Sequence, residues 1–295
     1  FSLVNQSDVG AYVATDLLEL AEHLTLNGTI ARVAWAKNPA SQLWVLRSDG
    51  TLVSMTYRRE QQVYAWAKHP LDGFVESIAV IPSPDGTVDD LWMIVRRTIN
   101  GATRRYVEYL APPFEPTHAQ DKALMGYVDS ALRYSGPAAG ALSGLFHLEG
   151  RTVKVIADGA LHPDRVVAGG KITLETPATN VWAGLAYASR LRTLRLDVPS
   201  MGTAQGKTKR VPRLTVRVHL GVGGLAGPGD ESRMEELVRR ELGDAMDAGP
   251  PIRSGDFDVF LASDFDVDGR VAFVQDEPLP LDVLSIMPVM SVVDG

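Results

Sequence analysis

Residues 33–70 have the sequence VAWAKNPASQLWVLRSDGTLVSMTYRREQQVYAWAKHP, and residues 78–110 repeat its pattern as IAVIPSPDGTVDDLWMIVRRTINGATRRYVEYL. The corresponding positions are Val33-Ala34 with Ile78-Ala79, Leu43-Trp44 with Leu91-Trp92, and Asp49-Gly50 with Asn100-Gly101. Asp-Gly and Asn-Gly between apolar runs are strong hairpin signals, because both turn residues must tolerate positive φ. The two segments are therefore predicted to be successive antiparallel meanders.

The spacing of this repeat indicates the larger architecture. Short strands that recur about every 40–50 residues are typical of β-propeller blades, and a closed propeller needs at least about four of them. We therefore expect residues 1–125 to form part of a propeller, completed by sequence that precedes Phe1; stacked meanders are the alternative. One short helix is predicted at Thr15–Leu24, where Leu17, Leu18, Ala21 and Leu24 share a face.

The rest of the chain is predicted to be β as well, which makes the whole protein mainly β with few helices. Residues 144–188 contain short alternating strands and turns, typical of a small inserted β module. Residues 126–143 and 189–295 are predicted to form a β-sandwich platform. A helical insertion is predicted at residues 231–247, because Ser232 and Glu235 match a capping box ahead of an apolar stripe. The Gly-rich segment 221–229 is predicted to be a turn.

Composition excludes several classes of function. The chain contains no Cys, which excludes disulfides, thiolate zinc sites and cysteine nucleophiles. No apolar run approaches the ~20 residues that span a bilayer, so we expect no membrane insertion by this segment. The net charge of −7 is not that of a general nucleic-acid binder. No nucleophile elbow or phosphate-binding loop is present, so the sequence identifies no catalytic residue and no cofactor.

Charge is unevenly distributed along the second half of the chain. Residues 190–217 contain eight basic residues and one acid, whereas residues 230–295 contain sixteen acids and five arginines. Within the tract Gly206–Val218, Arg213, Thr215 and Arg217 alternate with apolar residues, which predicts a strand with one charged face. That face is predicted to be a subunit interface, a DNA-channel surface or a solvated face. The candidate residues are Lys207, Lys209, Arg210, Arg213 and Arg217.

A second charged motif is the segment Asp264–Gly269, with the sequence DFDVDG. Asp264, Asp266 and Asp268 have the spacing of the first oxygen ligands of a calcium loop. Position 12 of such a loop would be Gln275 rather than Glu, and the flanking segments are predicted strands. The three carboxylates are therefore weak metal candidates, and a solvated hairpin loop is the alternative.

Several phrases, taken together and in order, resemble the tail nozzle proteins of short-tailed bacteriophages, also called tail tubular protein B or connector hubs. They are DLLELAEHL at residues 16–24, WVLRSDGTLVSMTYRREQQVYAWAKHP at 44–70, FVESIAVIPSPDGTVDDLWMIVRRTINGATRRYVEYL at 74–110, LEGRTVKVIADG at 148–159, GKTKRVPRLTVRV at 206–218 and QDEPLPLDVLSIMP at 275–288. The similarity spans nearly the whole chain and corresponds to the C-terminal portion of that family.

The resemblance implies a structural virion protein without catalytic residues, assembled in the bacterial host cytoplasm and located in the phage tail. Family members form a six-fold ring beneath the tail adaptor, with tail fibres around it and double-stranded DNA passing through the channel without sequence-specific binding. In a head-to-tail ring, the basic tract and the acidic C-terminal region would be complementary surfaces. Reversal of Arg213 and Arg217 to Glu is then expected to weaken assembly.

Two other functions remain open at this point. One is a propeller-type receptor-binding or scaffold module, which would use an exposed aromatic pocket around Trp35, Trp44, Trp66 and Trp92. These residues also fit the core of the blades. The other is a metal-dependent hydrolase that uses Asp264, Asp266 and Asp268.

Overall fold

The computed structural model is mainly β, as the sequence predicts. It describes residues 2–6, 12–18, 21–24, 28–58, 60–111, 119–197 and 206–293. The chain divides into two compact units, Phe1–Pro113 and Phe114–Gly295. Helical structure in the described ranges consists of three 3-10 turns, at Glu22–Leu24, Ala119–Leu124 and Phe146–Leu148. None of the helices in these ranges is long and apolar enough to cross a membrane.

The described residues of the first unit form nine strands in three antiparallel sheets. A hairpin pairs β1 (Ser2–Gln6) with β2 (Tyr12–Asp16). A four-stranded meander follows in chain order: β3 (Ile30–Ala36), β4 (Gln42–Arg47), β5 (Leu52–Arg58) and β6 (Val63–His69). A three-stranded meander then contains β7 (Phe74–Pro82), β8 (Asp89–Ile99) and β9 (Ala102–Tyr109).

The repeat seen in the sequence is confirmed in the strand register. Ala34 lies opposite Trp44 in the first meander, and Ala79 lies opposite Trp92 in the second. The hairpin turns also correspond. Gly50 has φ 78° between β4 and β5, and Asn100 and Gly101 have φ 48° and 73° between β8 and β9. The predicted meanders and both predicted turns are therefore present.

The two meanders pack against each other around one core. Trp44, Leu46 and Leu52 of the first sheet meet Val75, Leu91 and Val95 of the second. The opposite face of the first sheet is covered by Leu18, Ala21 and Leu24. The opposite face of the second sheet is open, and it exposes Ile94, Val107 and Tyr109. Face-to-face packing is how propeller blades contact each other, but the described sheets close neither a propeller nor a barrel.

The helix predicted at Thr15–Leu24 is wrong. Strand β2 continues to Asp16, whose Oδ1 accepts a hydrogen bond from the Leu18 backbone N–H at 2.9 Å. Among the described residues of this range, only Glu22–Leu24 is helical, as a 3-10 turn. The prediction that Leu18, Ala21 and Leu24 share an apolar face is confirmed, because all three are buried against the first meander. Three such contacts can be made by a turn as well as by a helix, so the apolar pattern did not require a helix.

The second unit begins with a four-stranded antiparallel sheet. It contains β10 (Asp129–Ser143), β11 (Thr152–Ala157), β12 (Ala160–Val166) and β13 (Lys171–Leu185), in the order β10-β13-β11-β12. Residues 126–143 were expected in the sandwich, but β10 pairs with β13 instead. The small β module therefore includes the preceding strand as well as residues 144–188.

Two further sheets form a sandwich. One has the order β14 (Ser189–Arg192), β19 (Val271–Gln275), β16 (Gly223–Pro228), β17 (Glu235–Val238), and the other has the order β18 (Arg253–Phe260), β15 (Thr208–Gly221), β20 (Asp282–Val293). Leu214, Val216 and Val259 of the second sheet share a core with Val271 and Phe273 of the first. The predicted sandwich over residues 189–295 is thus present in the described part of this range.

The helix predicted at residues 231–247 is also wrong. Glu235–Val238 forms strand β17, with Leu225 opposite Glu236, and turns follow it. Leu237 and Val238 bury their side chains in the sandwich core, which outweighs the weak local preference for helix. The Gly-rich segment predicted as a turn instead supplies the partner strand β16. Glycine is required at position 227, because a Cβ there would lie 2.7 Å from the Arg233 carbonyl oxygen.

Candidate functional site

The basic tract forms the central strand of the β18-β15-β20 sheet. Leu214, Val216 and Val218 are buried in the sandwich, whereas Arg213 and Arg217 are exposed on the opposite face. The predicted alternation of charged and apolar residues is confirmed. Lys207 precedes β15 and is half-buried.

Acidic residues of β18 neutralise part of this face within the same chain. Arg217 donates two hydrogen bonds to Asp256, from Nε at 2.7 Å and from Nη2 at 2.9 Å. One row along, the Thr215 hydroxyl donates to Asp258. The hydrogen bond and the charge of Arg217 lower the pKa of Asp256 below its usual value. Arg217 is therefore already engaged before any partner arrives.

Lys209 is unsuited to the role predicted for it. Its side chain is almost fully buried, and Nζ donates a hydrogen bond to the Val267 carbonyl at 2.9 Å. The Lys209 backbone also exchanges two hydrogen bonds with Asp266. The residue anchors the DFDVDG segment to β15, so it cannot present its charge to DNA or to another subunit. The alternation rule failed here because the register shifts between Arg210 and Arg213.

Arg210 and Arg213 remain as the exposed cations of the tract, and neither forms an ion pair within the described residues. Arg213 lies in a cross-strand row between Phe260 of β18 and Val289 of β20. Phe260 is 72% exposed and Val289 is 45% exposed. We call Arg210, Arg213, Phe260 and Val289 the Phe260 patch.

The three metal candidates are directed toward different partners. Asp264 pairs with Arg233, and Asp266 Oδ1 accepts hydrogen bonds from the backbone N–H groups of Asp268 and Gly269. Asp268 forms ion pairs with Arg195 at 2.6 Å and with Arg270 at 3.2 Å. No group of three acidic or imidazole side chains that could hold a metal ion occurs in the part of the chain that the structure describes. The three carboxylates therefore have the sequence spacing of a calcium loop, but they do not point toward a common site.

The basic tract and the DFDVDG segment line the same cleft, of about 380 Å³. Its walls carry both signs of charge, with cations from Arg192, Lys209, Arg233 and Arg270 and acids from Asp230, Asp264, Asp266 and Asp268. Half of these charges form ion pairs inside the cleft, Arg233 with Asp264 and Arg270 with Asp268, and so the arrangement favours a structural ion-pair network over an activated nucleophile or base.

Ion pairs within one copy of the chain thus neutralise part of the charge asymmetry seen in the sequence. Arg190 pairs with Glu231 at 3.1 Å, Arg195 with Asp268 and Arg217 with Asp256. These pairs engage Glu231, Asp268 and Asp256 within the chain, and the contact of the acidic region with a neighbouring subunit stays a prediction. Sequence reasoning missed Asp256 and Asp258 as partners, although their two-residue spacing matches that of Thr215 and Arg217.

The aromatic residues of the first unit fall into two groups. Trp44 is buried in the core between the meanders, and the Trp66 indole N–H donates to the Leu17 carbonyl at 2.8 Å. Trp35, however, is 41% exposed and lies 6.3 Å from the ring of Tyr57, which in turn lies 5.7 Å from Tyr64. Trp35, Tyr57 and Tyr64 form what we call the aromatic shelf.

Similarity to known proteins identifies no family for this chain. The chain matches no protein-family model and no curated protein. The functional inference therefore rests on the residues themselves and on the sites described above.

Proposed function

We propose that the chain is the C-terminal portion of a tail nozzle-type protein, a non-enzymatic structural component of a short bacteriophage tail. It assembles as a ring, attaches to the tail adaptor, carries tail fibres or spikes around it and guides double-stranded DNA into the host. The proposal places the protein in the virion. The observation that carries it is the ordered set of sequence phrases that resemble this family across both units.

The electrostatics of the β18-β15-β20 sheet are compatible with a DNA conduit. A channel that must release DNA cannot make many simultaneous phosphate contacts, because each neutralised phosphate adds to the affinity. Of the five basic candidates, Lys207 precedes the strand and is half-buried, Lys209 is buried, and Arg217 is paired with Asp256. Arg210 and Arg213 are then the exposed cations of the strand that form no ion pair within the described residues. Such a surface can contact a passing duplex without holding it.

The first unit supports the propeller-like part of the proposal. Its two meanders present equivalent Ala-Trp faces, Ala34-Trp44 in the first sheet and Ala79-Trp92 in the second. The first of these faces packs on the next sheet, and the second is open. A further sheet of the same kind would cover Ile94, Val107 and Tyr109 in a propeller.

The test is the mass of the purified protein by light scattering, combined with electron microscopy of the same sample. We expect closed rings with a central hole and a mass that is a fixed multiple of the 31.9 kDa chain. A protein that stays monomeric at concentrations well above those of phage assembly would contradict the proposal.

The aromatic shelf favours a second candidate, a receptor-binding module. Exposed Trp and Tyr rings are suited to stacking on apolar faces of sugars and other ligands. This function predicts saturable binding to a host surface glycan that Trp35→Ala abolishes, whereas Trp92→Ala, on the open face of the second sheet, leaves it intact. If no glycan on an array binds the protein, the aromatic shelf does not support a receptor-binding function.

A further inference from the structure

Two arginines, one inside a loop of the second unit and one just after it, hold the shape of that loop. Arg240 donates hydrogen bonds to the Ala245 and Ala248 carbonyls at 2.9 and 2.8 Å. At the start of β18, Arg253 pairs with Asp244 at 2.6 Å. Residues 239–250, which we call the 239–250 loop, are thus fixed at both ends and across their middle.

This ordered loop presents apolar side chains to solvent. Leu242 is fully exposed and Met246 is 81% exposed. Asp247 lies next to Met246, is exposed, and forms no ion pair within the described residues. Single exposed apolar residues are ordinary, but two on a loop that hydrogen bonds hold rigid form a preorganised apolar contact with an acidic flank.

The Phe260 patch has the complementary character. Phe260 and Val289 supply exposed apolar surface, and Arg210 and Arg213 supply exposed positive charge. Pro288 lies in β20, one of the two edge strands of this sheet, and has no backbone N–H to donate to an added strand. A partner that recognises the four side chains of the patch docks on the face of the sheet.

The loop and the patch lie at opposite ends of β18. Arg253, which holds the loop, begins the strand, and Phe260 ends it. At about 3.3 Å per residue, seven steps separate them by roughly 23 Å. One copy of the chain therefore cannot place its own loop on its own patch.

We propose that the 239–250 loop of one copy docks on the Phe260 patch of another copy, head to tail. Leu242 and Met246 pack on Phe260 and Val289, and Asp247 faces Arg213. Two different surfaces on each copy generate a ring when the rotation closes. The proposal names the contact between neighbouring copies in the proposed ring. It rests on the proposed function only for the closure of that ring.

The absence of Cys from the chain permits a direct test by engineered disulfides. A disulfide requires Cα atoms within about 7 Å, so it reports contact between specific surfaces. Met246→Cys and Val289→Cys are prepared as single variants, mixed under mild oxidation and analysed without reductant. We expect a mixed 246–289 dimer and little of either self-linked dimer. Val166→Cys, exposed on β12 and outside both surfaces, is the matched control and is expected to remain unlinked.

The double variant Met246→Cys/Val289→Cys separates this proposal from the ring itself. A covalent ladder that ends at a fixed number of chains supports both. A ladder that grows without limit supports the contact and overturns the closed ring. Rings seen by electron microscopy without any 246–289 disulfide overturn the contact and leave the ring. A dominant 289–289 dimer overturns the head-to-tail arrangement, and a monomer without cross-links overturns both proposals.

Charge reversal gives an independent check in the same assay. Arg213→Glu should lower the yield of the mixed disulfide by roughly tenfold, since a like charge then faces Asp247. Adding Asp247→Arg should restore most of it. A yield that is unchanged by the first substitution would overturn the assigned pairing.

Discussion

Arg217 and Asp256 face each other across β15 and β18, and both carboxylate oxygens accept a hydrogen bond from the one guanidinium. The pair is exposed to solvent, so its contribution to stability is small and decreases with salt. Because Arg217 is engaged in this pair, a partner would meet Arg213 rather than Arg217 as the unpaired cation of the strand.

The first prediction concerns the two arginines of this strand. Arg217→Glu places a like charge opposite Asp256 and should lower the urea midpoint slightly at low salt and less at high salt. The double change Arg217→Asp/Asp256→Arg should restore it. Arg213 faces Phe260 and Val289 and forms no ion pair within the described residues, so Arg213→Glu should leave the midpoint of the unassociated chain unchanged. An equal loss for Arg213→Glu would contradict the assignment of the ion pair.

The second prediction concerns the buried Lys209. Lys209→Ala removes the hydrogen bond to the Val267 carbonyl and the packing of the side-chain stem, and it should cost about 2–3 kcal/mol of unfolding free energy. Lys209→Glu should cost more, because it buries a negative charge beside carbonyl oxygens. Arg210→Glu, the exposed neighbour, is the control. Urea unfolding followed by circular dichroism measures the effect, and equal tolerance of both reversals would contradict the buried role.

Much of this architecture could be predicted, because alternation and turn chemistry are local. The meander repeat, both hairpin turns and the charged face of β15 follow from spacing and from Asp-Gly and Asn-Gly pairs. Both helix predictions failed for a common reason. Leu18, Ala21 and Leu24, like Leu237 and Val238, are buried by tertiary packing that a short apolar pattern cannot distinguish from a helix face.

The candidate site was predictable only in part. Arg213 and Arg217 were placed correctly on an exposed face, but the partner of Arg217 lies 39 positions away, and pairing over such separation is set by strand order. Lys209 was misplaced because a bulge shifts the register between Arg210 and Arg213. The 239–250 loop was not predicted, because its residues were placed in a helical insertion with Leu242 on the apolar stripe.

The third prediction concerns pH and the first unit. His69 Nε2 lies 2.7 Å from the Ser54 hydroxyl, and its ring lies 4.9 Å from the Trp44 ring. Burial lowers the pKa of His69 to about 4. In the unfolded chain the pKa is near 6.5, so the unfolded state binds the proton first as the pH falls.

Stability of the first unit should therefore be constant above about pH 6.5 and decrease between pH 6.5 and 4, by up to about 3 kcal/mol. Fluorescence-detected unfolding measures it, since Trp35, Trp44, Trp66 and Trp92 all lie in this unit. His69→Gln should flatten the pH dependence in this window. His162, half-buried in the second unit, provides the control variant, and a slope that persists in His69→Gln would contradict the assignment.

The last prediction uses the two corresponding turn glycines of the repeat. Gly50 and Gly101 both have positive φ, so Ala at either position costs backbone strain of about 1 kcal/mol. Their surroundings differ, because a Cβ on Gly50 would lie 2.6 Å from the Phe74 ring, whereas a Cβ on Gly101 would meet nothing within 4 Å. Phe74 begins the second meander, so this contact joins the first turn to the next sheet.

Gly50→Ala should consequently cost about 2–3 kcal/mol, against about 1 kcal/mol for Gly101→Ala. Tryptophan-detected urea unfolding of both variants gives the comparison directly. Phe74→Leu in the Gly50→Ala background should recover part of the difference, since it removes the ring that the new methyl group meets. Equal losses for the two glycine variants would mean that the turn of the first meander does not pack on the second, and the shared core between the repeats would then need a different alignment.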